Sequence, residues 1–254
     1  MRRNVSSVVA TTDQEEVARL MRKYHYLAVP VTDAHNRLLG LITVDDVVDI
    51  IHDEATEDVQ RMAGAGAEER LTSPWHFSFK KRIWWLEVNL ATAFMAAAVI
   101  AFFQDTIQKL AILAAYQTIV SGMGGNASAQ AMAVAIRGIA LGEVDRTLLK
   151  QILYRETIVG LISGVIIGLT TATIAVMFNW PNHGLLLGAI VMIALMINHT
   201  MACVSGVAIP FAMKWLGFDP AQSATIFATT VTDCCGFFVT LGLGSLAIKA
   251  FGIQ

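Results

Sequence analysis

The spacing of apolar and polar positions divides the chain in two near residue 82. Before that point apolar residues recur at helical or alternating intervals among many charges. Val17, Leu20 and Met21 predict a helix over Asp13–Tyr24, with Thr12 or Asp13 as its cap and Glu15 and Glu16 in the first turn. Leu27–Thr32 and Leu38–Thr43 read as strands around the turn Asp33–Arg37. Val44–Ile51 follows as a helix with Thr43 as N-cap, and a further helix is expected over about Thr56–Leu71. Beyond residue 82 the apolar positions merge into five runs, about Ile83–Phe103, Ile107–Ile136, Ile152–Phe178, Gly184–Met213 and Ala221–Ile248. Each reaches the roughly 20 residues that one membrane crossing needs.

Composition sharpens this division. Hydrophobic residues make up 55% of the chain, charged residues 15%, and mean hydropathy is +0.58. Residues 1–82 nevertheless hold 11 of the 18 Lys and Arg and 13 of the 20 Asp and Glu. From Thr157 to Met213 there is no charge at all, and the turn Asn179-Trp-Pro-Asn-His183 separates two crossings there. The expected fold is an α-helical membrane protein of five transmembrane helices with a small N-terminal α/β domain. Residues 1–52 form that domain, 53–82 an acidic and basic linker, and 83–254 the membrane domain. About 50 residues is small for an independent core, so the α/β unit is expected to pair with a second copy, in another chain or upstream in a longer protein.

Loop charges orient the spans. Lys80, Lys81, Arg82, Arg137, Arg146, Lys150, Arg155 and Lys214 fall on one side, against Lys109 and Lys249 on the other. The basic side is cytoplasmic by the positive-inside rule, which puts the N-terminus in the cytoplasm of a multi-pass protein of the cell membrane. The first ~80 residues are too polar for a cleavable signal peptide. A net charge of −2 offers nothing to nucleic acid. Cys203, Cys234 and Cys235 sit in apolar segments without metal-ligand spacing and read as small buried hydrophobes.

The candidate chemistry lies in three places. Asp233 is the only charge between Pro220 and Ile248. A carboxylate at the middle of a membrane helix costs about 2.5–3.5 kcal/mol, so such a residue faces a wet path or a partner. Thr225, Thr229 and Asp233 fall at i, i+4 and i+8, with Thr230, Gly236 and Thr240 on the same side. A stripe of oxygen ligands suits a hard cation such as magnesium or calcium. In the second crossing, Ser121-Gly-Met-Gly-Gly-Asn-Ala-Ser-Ala-Gln130 brings three glycines and several polar groups into a span. Small residues serve helix packing, but Gly124-Gly125 is expected to weaken the helix and expose carbonyls beside Asn126 and Gln130, as at an ion path. The third place is the run Asp45, Asp46, Asp49, Asp53, Glu54, Glu57 and Asp58, which contains no Lys or Arg. Asp46, Asp49, Asp53 and Glu57 share a face if the helix runs through Glu57, either as a solvated surface or as a site where divalent ions relieve repulsion.

Taken together, Gly122-Met-Gly-Gly-Asn-Ala127 with Gln130, Asp219-Pro-Ala221 and Thr229-Thr-Val-Thr-Asp233 resemble the MgtE family of magnesium transporters. Arg82–Leu90 is similar to the family's entry into its first span. Tyr24–Asp33 and Leu39–Asp46 resemble the second of its two CBS repeats, and Glu54–Asp58 with Met62–Gly64 the start of its connecting helix. The resemblance implies a homodimeric magnesium channel of five spans in the lipid bilayer, its pore lined by the second and fifth spans. Asp233 would be the central ion ligand, with Gly122, Gly125, Asn126, Thr229 and Thr230 along the pore. The cytoplasmic carboxylates Asp45, Asp46, Asp49, Asp53, Glu54, Glu57 and Asp58 would bind regulatory magnesium and close it. Thr43 and Asp46 resemble residues with which CBS repeats hold a ribose. The sequence departs from the common pattern at Thr118, Ser128 and Cys203. It shows no counterpart of the family's N-terminal helical domain or first CBS repeat, so it reads as the C-terminal part of such a protein with weakened regulation.

Two other functions are compatible with a membrane domain. A cation-coupled secondary transporter of divalent metals needs more than one intramembrane ionisable group, and His199 is the other deep candidate. A non-transporting magnesium sensor would leave Asp233 and the glycine-rich stretch without a task. No Ser/His/Asp set, P-loop or metal-hydrolase spacing supports an enzyme.

Overall fold

The structure is a computed structural model and describes residues 6–142, 148–181, 183–222 and 224–252. It divides into two compact units, Met1–Arg61 and Met62–Gln254.

The first unit contains β1 (Val8–Val9), α1 (Gln14–Tyr24), β2 (Ala28–Thr32), β3 (Leu38–Thr43) and most of α2 (Val44–Met62). Asp13 caps α1 by accepting from the Glu15 N–H at 2.9 Å, the donor that the first helical turn leaves unpaired. The Asp33 carboxylate accepts from the backbone of His35 and Arg37, both at 2.8 Å, and closes the β2–β3 hairpin. The sheet order is β1-β2-β3, with Val8 parallel to Val31 and Val29 antiparallel to Ile42. β1 was not expected; two residues are too few to show a period. Val8, Val17, Ala18, Met21, Val29 and Val47 form the core. Leu27, Leu38, Leu39, Leu41 and Val48 stay exposed.

The two helices expected over residues 44–71 are instead one, α2, which ends at Met62. Thr56 Oγ1 folds back on the His52 carbonyl at 2.9 Å and Arg61 pairs with Glu57 one turn earlier, so nothing interrupts the helix at residues 52–56. Gly64, at φ 74°, stops it in the left-handed conformation that glycine adopts freely. Residues 63–74 are turns and loop.

The second unit contains α3 (Trp75–Phe102), α4 (Gln104–Lys109), α5 (Ile112–Ala140), α6 (Leu149–Asn179), α7 (Gly184–Trp215) and α8 (Ala224–Phe251). Among the described residues α3, α6, α7 and α8 are long and apolar enough to cross a membrane. At 29 residues, α5 has the length, roughly 44 Å at 1.5 Å per residue. The glycines and polar side chains of its middle make its most apolar stretch less apolar than those of the other four. The second expected crossing therefore starts later than Ile107. The polar α4 takes Gln104–Lys109, with Asp105 in its first turn and Lys109 in its last, and ends at Leu110. α3 starts eight residues before the expected Ile83 and carries Lys80–Arg82 within it. Arg146 and Asn182, used above for orientation and for the turn, lie outside the described residues.

α7 is the most enclosed helix, with Val191, Ala194, Leu195, Asn198 and Ala202 all fully buried. Gly160, Gly164 and Gly168 let α6 lie directly on it. A Cβ at these glycines would come within 2.7, 2.8 and 3.0 Å of the α7 backbone. α5 and α8 run antiparallel, with Leu113 against Gly244, Val120 against Gly236 and Gly124 against Thr232.

Candidate functional site

The antiparallel register of α5 and α8 brings Ser121 opposite Asp233, and the Ser121 hydroxyl donates to Asp233 Oδ1. Both side chains are half-buried. One turn nearer the start of α8, Thr229 Oγ1 donates to the Thr225 and Ile226 carbonyls at 3.0 Å, and Thr230 Oγ1 to Ile226 at 2.7 Å. With their protons engaged by their own helix, these hydroxyls offer lone pairs outward, the side a cation uses. On α5 the stripe Thr118, Gly122, Asn126 and Gln130 is exposed in the single chain. The structure thus brings Asp233 to Ser121 and Thr229 to Gly125 along one seam, with Gly122 and Asn126 on the open face of α5 and Thr230 half-buried on α8, bonded to its own helix.

One expectation about the glycine-rich stretch needs correction. α5 is continuous helix from Ile112 to Ala140, so Gly124-Gly125 does not break it. Gly125 is a roomy position. A Cβ there would meet only Thr229 Cγ2, at 3.9 Å, and one at Gly122 nothing within 4 Å. The tight glycine is Gly124, whose Cβ would lie 2.3 Å from Asn198 Nδ2 on α7. Three helices converge there, and neither Ser121 nor Asn198 stood out as a site residue in the sequence. Ser121 lies inside the polar run already noticed; Asn198, an amide in an otherwise apolar span, was the available signal beside His199. His199 itself is buried, with Nδ1 3.1 Å from the Leu195 carbonyl of its own helix. It sits in the α6–α7 packing, against Gly164.

The acidic helix behaves differently. Asp45, Asp46, Asp49 and Asp53 are exposed along α2, and Glu54, Glu57 and Asp58 half-buried. Several serve neighbours. Asp46 Oδ2 accepts from the Thr43 N–H at 2.9 Å and the Thr43 hydroxyl at 2.7 Å, which starts the helix and holds the Asp46 carboxyl below the usual range. Thr43 and Asp46, the nucleotide candidates, are thus bonded to each other. Glu54 accepts from Gln14 Nε2 at 2.6 Å, and Glu57 pairs with Arg61. Among the described residues no three His, Cys, Asp or Glu side chains gather to hold a metal. In the loop before α3, Glu69 is 7% exposed and accepts from Arg82 Nε at 3.1 Å; Arg82 first, then Ser78, holds its carboxyl below its ordinary value.

Long apolar helices around a seam of one carboxylate and several hydroxyls, preceded in the chain by a small α/β unit, define a multi-pass membrane protein. Residues 117–243 match the family model described as MgtE, divalent cation transporter, and residues 1–53 match that of the CBS domain. The chain belongs to the MgtE family of divalent cation transporters. Over 97% of its length it is 35% identical to the magnesium transporter MgtE of Enterococcus faecalis and 31% identical to that of Bacillus subtilis. It is also 31% identical, over 98% of its length, to the magnesium transporter MgtE of Thermus thermophilus. The chain spans about half the length of these relatives, 54–55%.

Proposed function

We propose that this chain passes Mg2+ across the cytoplasmic membrane through a pore formed by α5 and α8 of two copies. The observation that carries the proposal is the Ser121–Asp233 contact, which places the one carboxylate of α8 on the seam with α5. The relatives' magnesium transport supports the choice of ion. Lipid cannot satisfy the exposed amides of Asn126 and Gln130, and an unsatisfied polar group at membrane depth costs several kcal/mol. A second copy, or water between two copies, covers that stripe and makes the assembly a homodimer. In this arrangement α5 spans the bilayer as the second of five crossings, and the N-terminal unit lies in the cytoplasm.

Mg2+ demands octahedral geometry and sheds water reluctantly. Two Asp233 carboxylates across a twofold axis would hold an ion that keeps most of its shell. Thr229, Thr230, Asn126 and the backbone near Gly122 and Gly125 would meet that shell. The exposed carboxylates of α2 are a second, regulatory place for Mg2+: Asp45, Asp49 and Asp53 attract the ion in the cytoplasm, and its binding favours the closed state. The acidic residues of two copies would have to combine, because the described residues of one chain gather no group of three metal ligands.

Purified protein in liposomes loaded with a Mg2+-sensitive dye tests the proposal. Asp233→Ala is expected to abolish Mg2+ entry while the protein remains monodisperse, and Asp233→Asn to retain little of it. Wild-type entry rates in the Asp233→Ala protein would refute the pore assignment.

A further inference from the structure

Asn198 belongs to α7, which supplies none of the candidate ligands, yet it stands directly behind them. It is 0% exposed, and its Nδ2 donates to the Val120 carbonyl of α5 at 2.8 Å. In a continuous helix that carbonyl already serves the Gly124 N–H, so the amide clasps a turn that is closed on itself. The clasp needs space on two neighbouring helices. A Cβ on Gly124 would lie 2.3 Å from Nδ2, and one on Gly236 of α8 would lie 3.0 Å from it. Three helices therefore meet at one side chain. Ser121 follows Val120 and donates to Asp233, which precedes Gly236 by three residues and so stands within one helical turn of it.

The arrangement is expensive for packing alone. Asn198 Oδ1 is buried with no partner among the described residues, and a buried acceptor left unsatisfied costs stability. A single hydrogen bond between membrane helices contributes less than that cost. Leucine has the same branching and carries no unpartnered acceptor, although its methyl groups are bulkier than the amide's oxygen and nitrogen. What asparagine supplies and leucine lacks is a donor at a fixed place on the Val120 carbonyl.

We infer that Asn198 is a positioning residue of the ion site: it fixes the Val120–Gly124 turn of α5 against α8 and so holds Ser121 at the Asp233 carboxylate. The inference deepens the proposed ion path and rests on it. With the clasp gone, Ser121 drifts from Asp233, the carboxylate loses its fixed direction, and the pore binds Mg2+ differently without losing its fold.

The substitutions separate donor from packing. Asn198→Leu keeps the branching and removes the donor. Asn198→Asp keeps the shape but turns an acceptor toward a carbonyl. Gly124→Ala keeps the amide and pushes it off its carbonyl. Initial Mg2+ entry into dye-loaded liposomes, measured against external Mg2+, gives the half-saturating concentration; thermal unfolding of the same preparations gives the midpoint.

The expected result for Asn198→Leu is protein that still folds, with a half-saturating concentration displaced at least fivefold. Asn198→Asp and Gly124→Ala show the same displacement with lowered midpoints. The double variant Gly124→Ala with Asn198→Ala relieves the clash, so its midpoint recovers above that of Gly124→Ala while its half-saturation stays displaced. Recovery of both quantities to wild-type values in the double variant overturns the inference and leaves Asn198 a packing residue. An unmoved saturation curve in a folded Asn198→Leu protein overturns it as well. Either result, with wild-type flux intact, leaves the ion-path proposal standing; a wild-type protein that admits no Mg2+ removes both.

Discussion

The α5–α8 seam and helix α2 both carry acidic groups and dispose of them in opposite ways. The seam has a single carboxylate, Asp233, and three helices are arranged around it. Ser121 donates to it, and Asn198 and Gly124 lock the turn from which Ser121 projects. α2 and its start hold seven carboxylates between residues 43 and 58. Asp46, Glu54 and Glu57 answer to Thr43, Gln14 and Arg61, and the rest form no metal-holding group in one chain. The difference follows from the surroundings. A charge in an apolar helix is costly enough that its neighbours must be organised for it. Charges in water interact weakly, about 0–1 kcal/mol per pair, and organise little. One acid in an apolar span therefore says more about function than seven on a wet helix.

The largest expected effect breaks the seam at its tight glycine. Gly124→Val places two methyl groups into the Asn198 amide and should cost about 1–3 kcal/mol or more through overpacking. The thermal midpoint and the yield of monodisperse protein report it. Gly125→Val, one residue away, meets only ordinary contact within one chain and should fold. Its effect belongs to the flux assay, where a side chain toward the pore is expected to reduce Mg2+ entry. Equal instability of the two variants would erase the distinction between a packing glycine and a pore glycine.

A smaller effect is expected from α2. Replacing Asp46, Asp49, Asp53 and Glu57 by their amides should leave Mg2+ entry unchanged at low internal Mg2+. It should raise entry severalfold when internal Mg2+ is millimolar, in recordings with the internal concentration stepped. Asp46 also starts the helix through Thr43, so Asp49, Asp53 and Glu57 alone should give the same regulatory change with less loss of stability. Identical dependence in wild type and variant would leave the acidic face a solvated surface.

Much of this division was legible in the sequence because it rests on composition and period. Runs of apolar residues gave the long helices to within eight positions at their ends, and the solitary Asp233 marked the seam. The hairpin was legible through Asp33, whose side chain makes the turn. What escaped detection depends on contacts between helices distant in sequence. Nothing local distinguishes Gly124 from Gly125, yet one crowds Asn198 and the other meets Thr229 only at ordinary contact distance. The expected weakness at these glycines failed because neighbouring helices hold α5 straight and tertiary packing overrides glycine's low helix propensity. The end of α2 at Gly64 was also misplaced. Glu68, Glu69 and Arg70 look helical in sequence, but Glu69 turns to Arg82 instead.

The central claim is that Mg2+ pauses at the carboxylate of the seam. Mn2+ prefers the same oxygen ligands and scatters anomalously, so crystals of the protein grown with Mn2+ locate the ion directly. The account predicts an anomalous peak beside Asp233, shared by two copies and lost in Asp233→Asn. Peaks confined to α2, with none along α5 and α8, would contradict it.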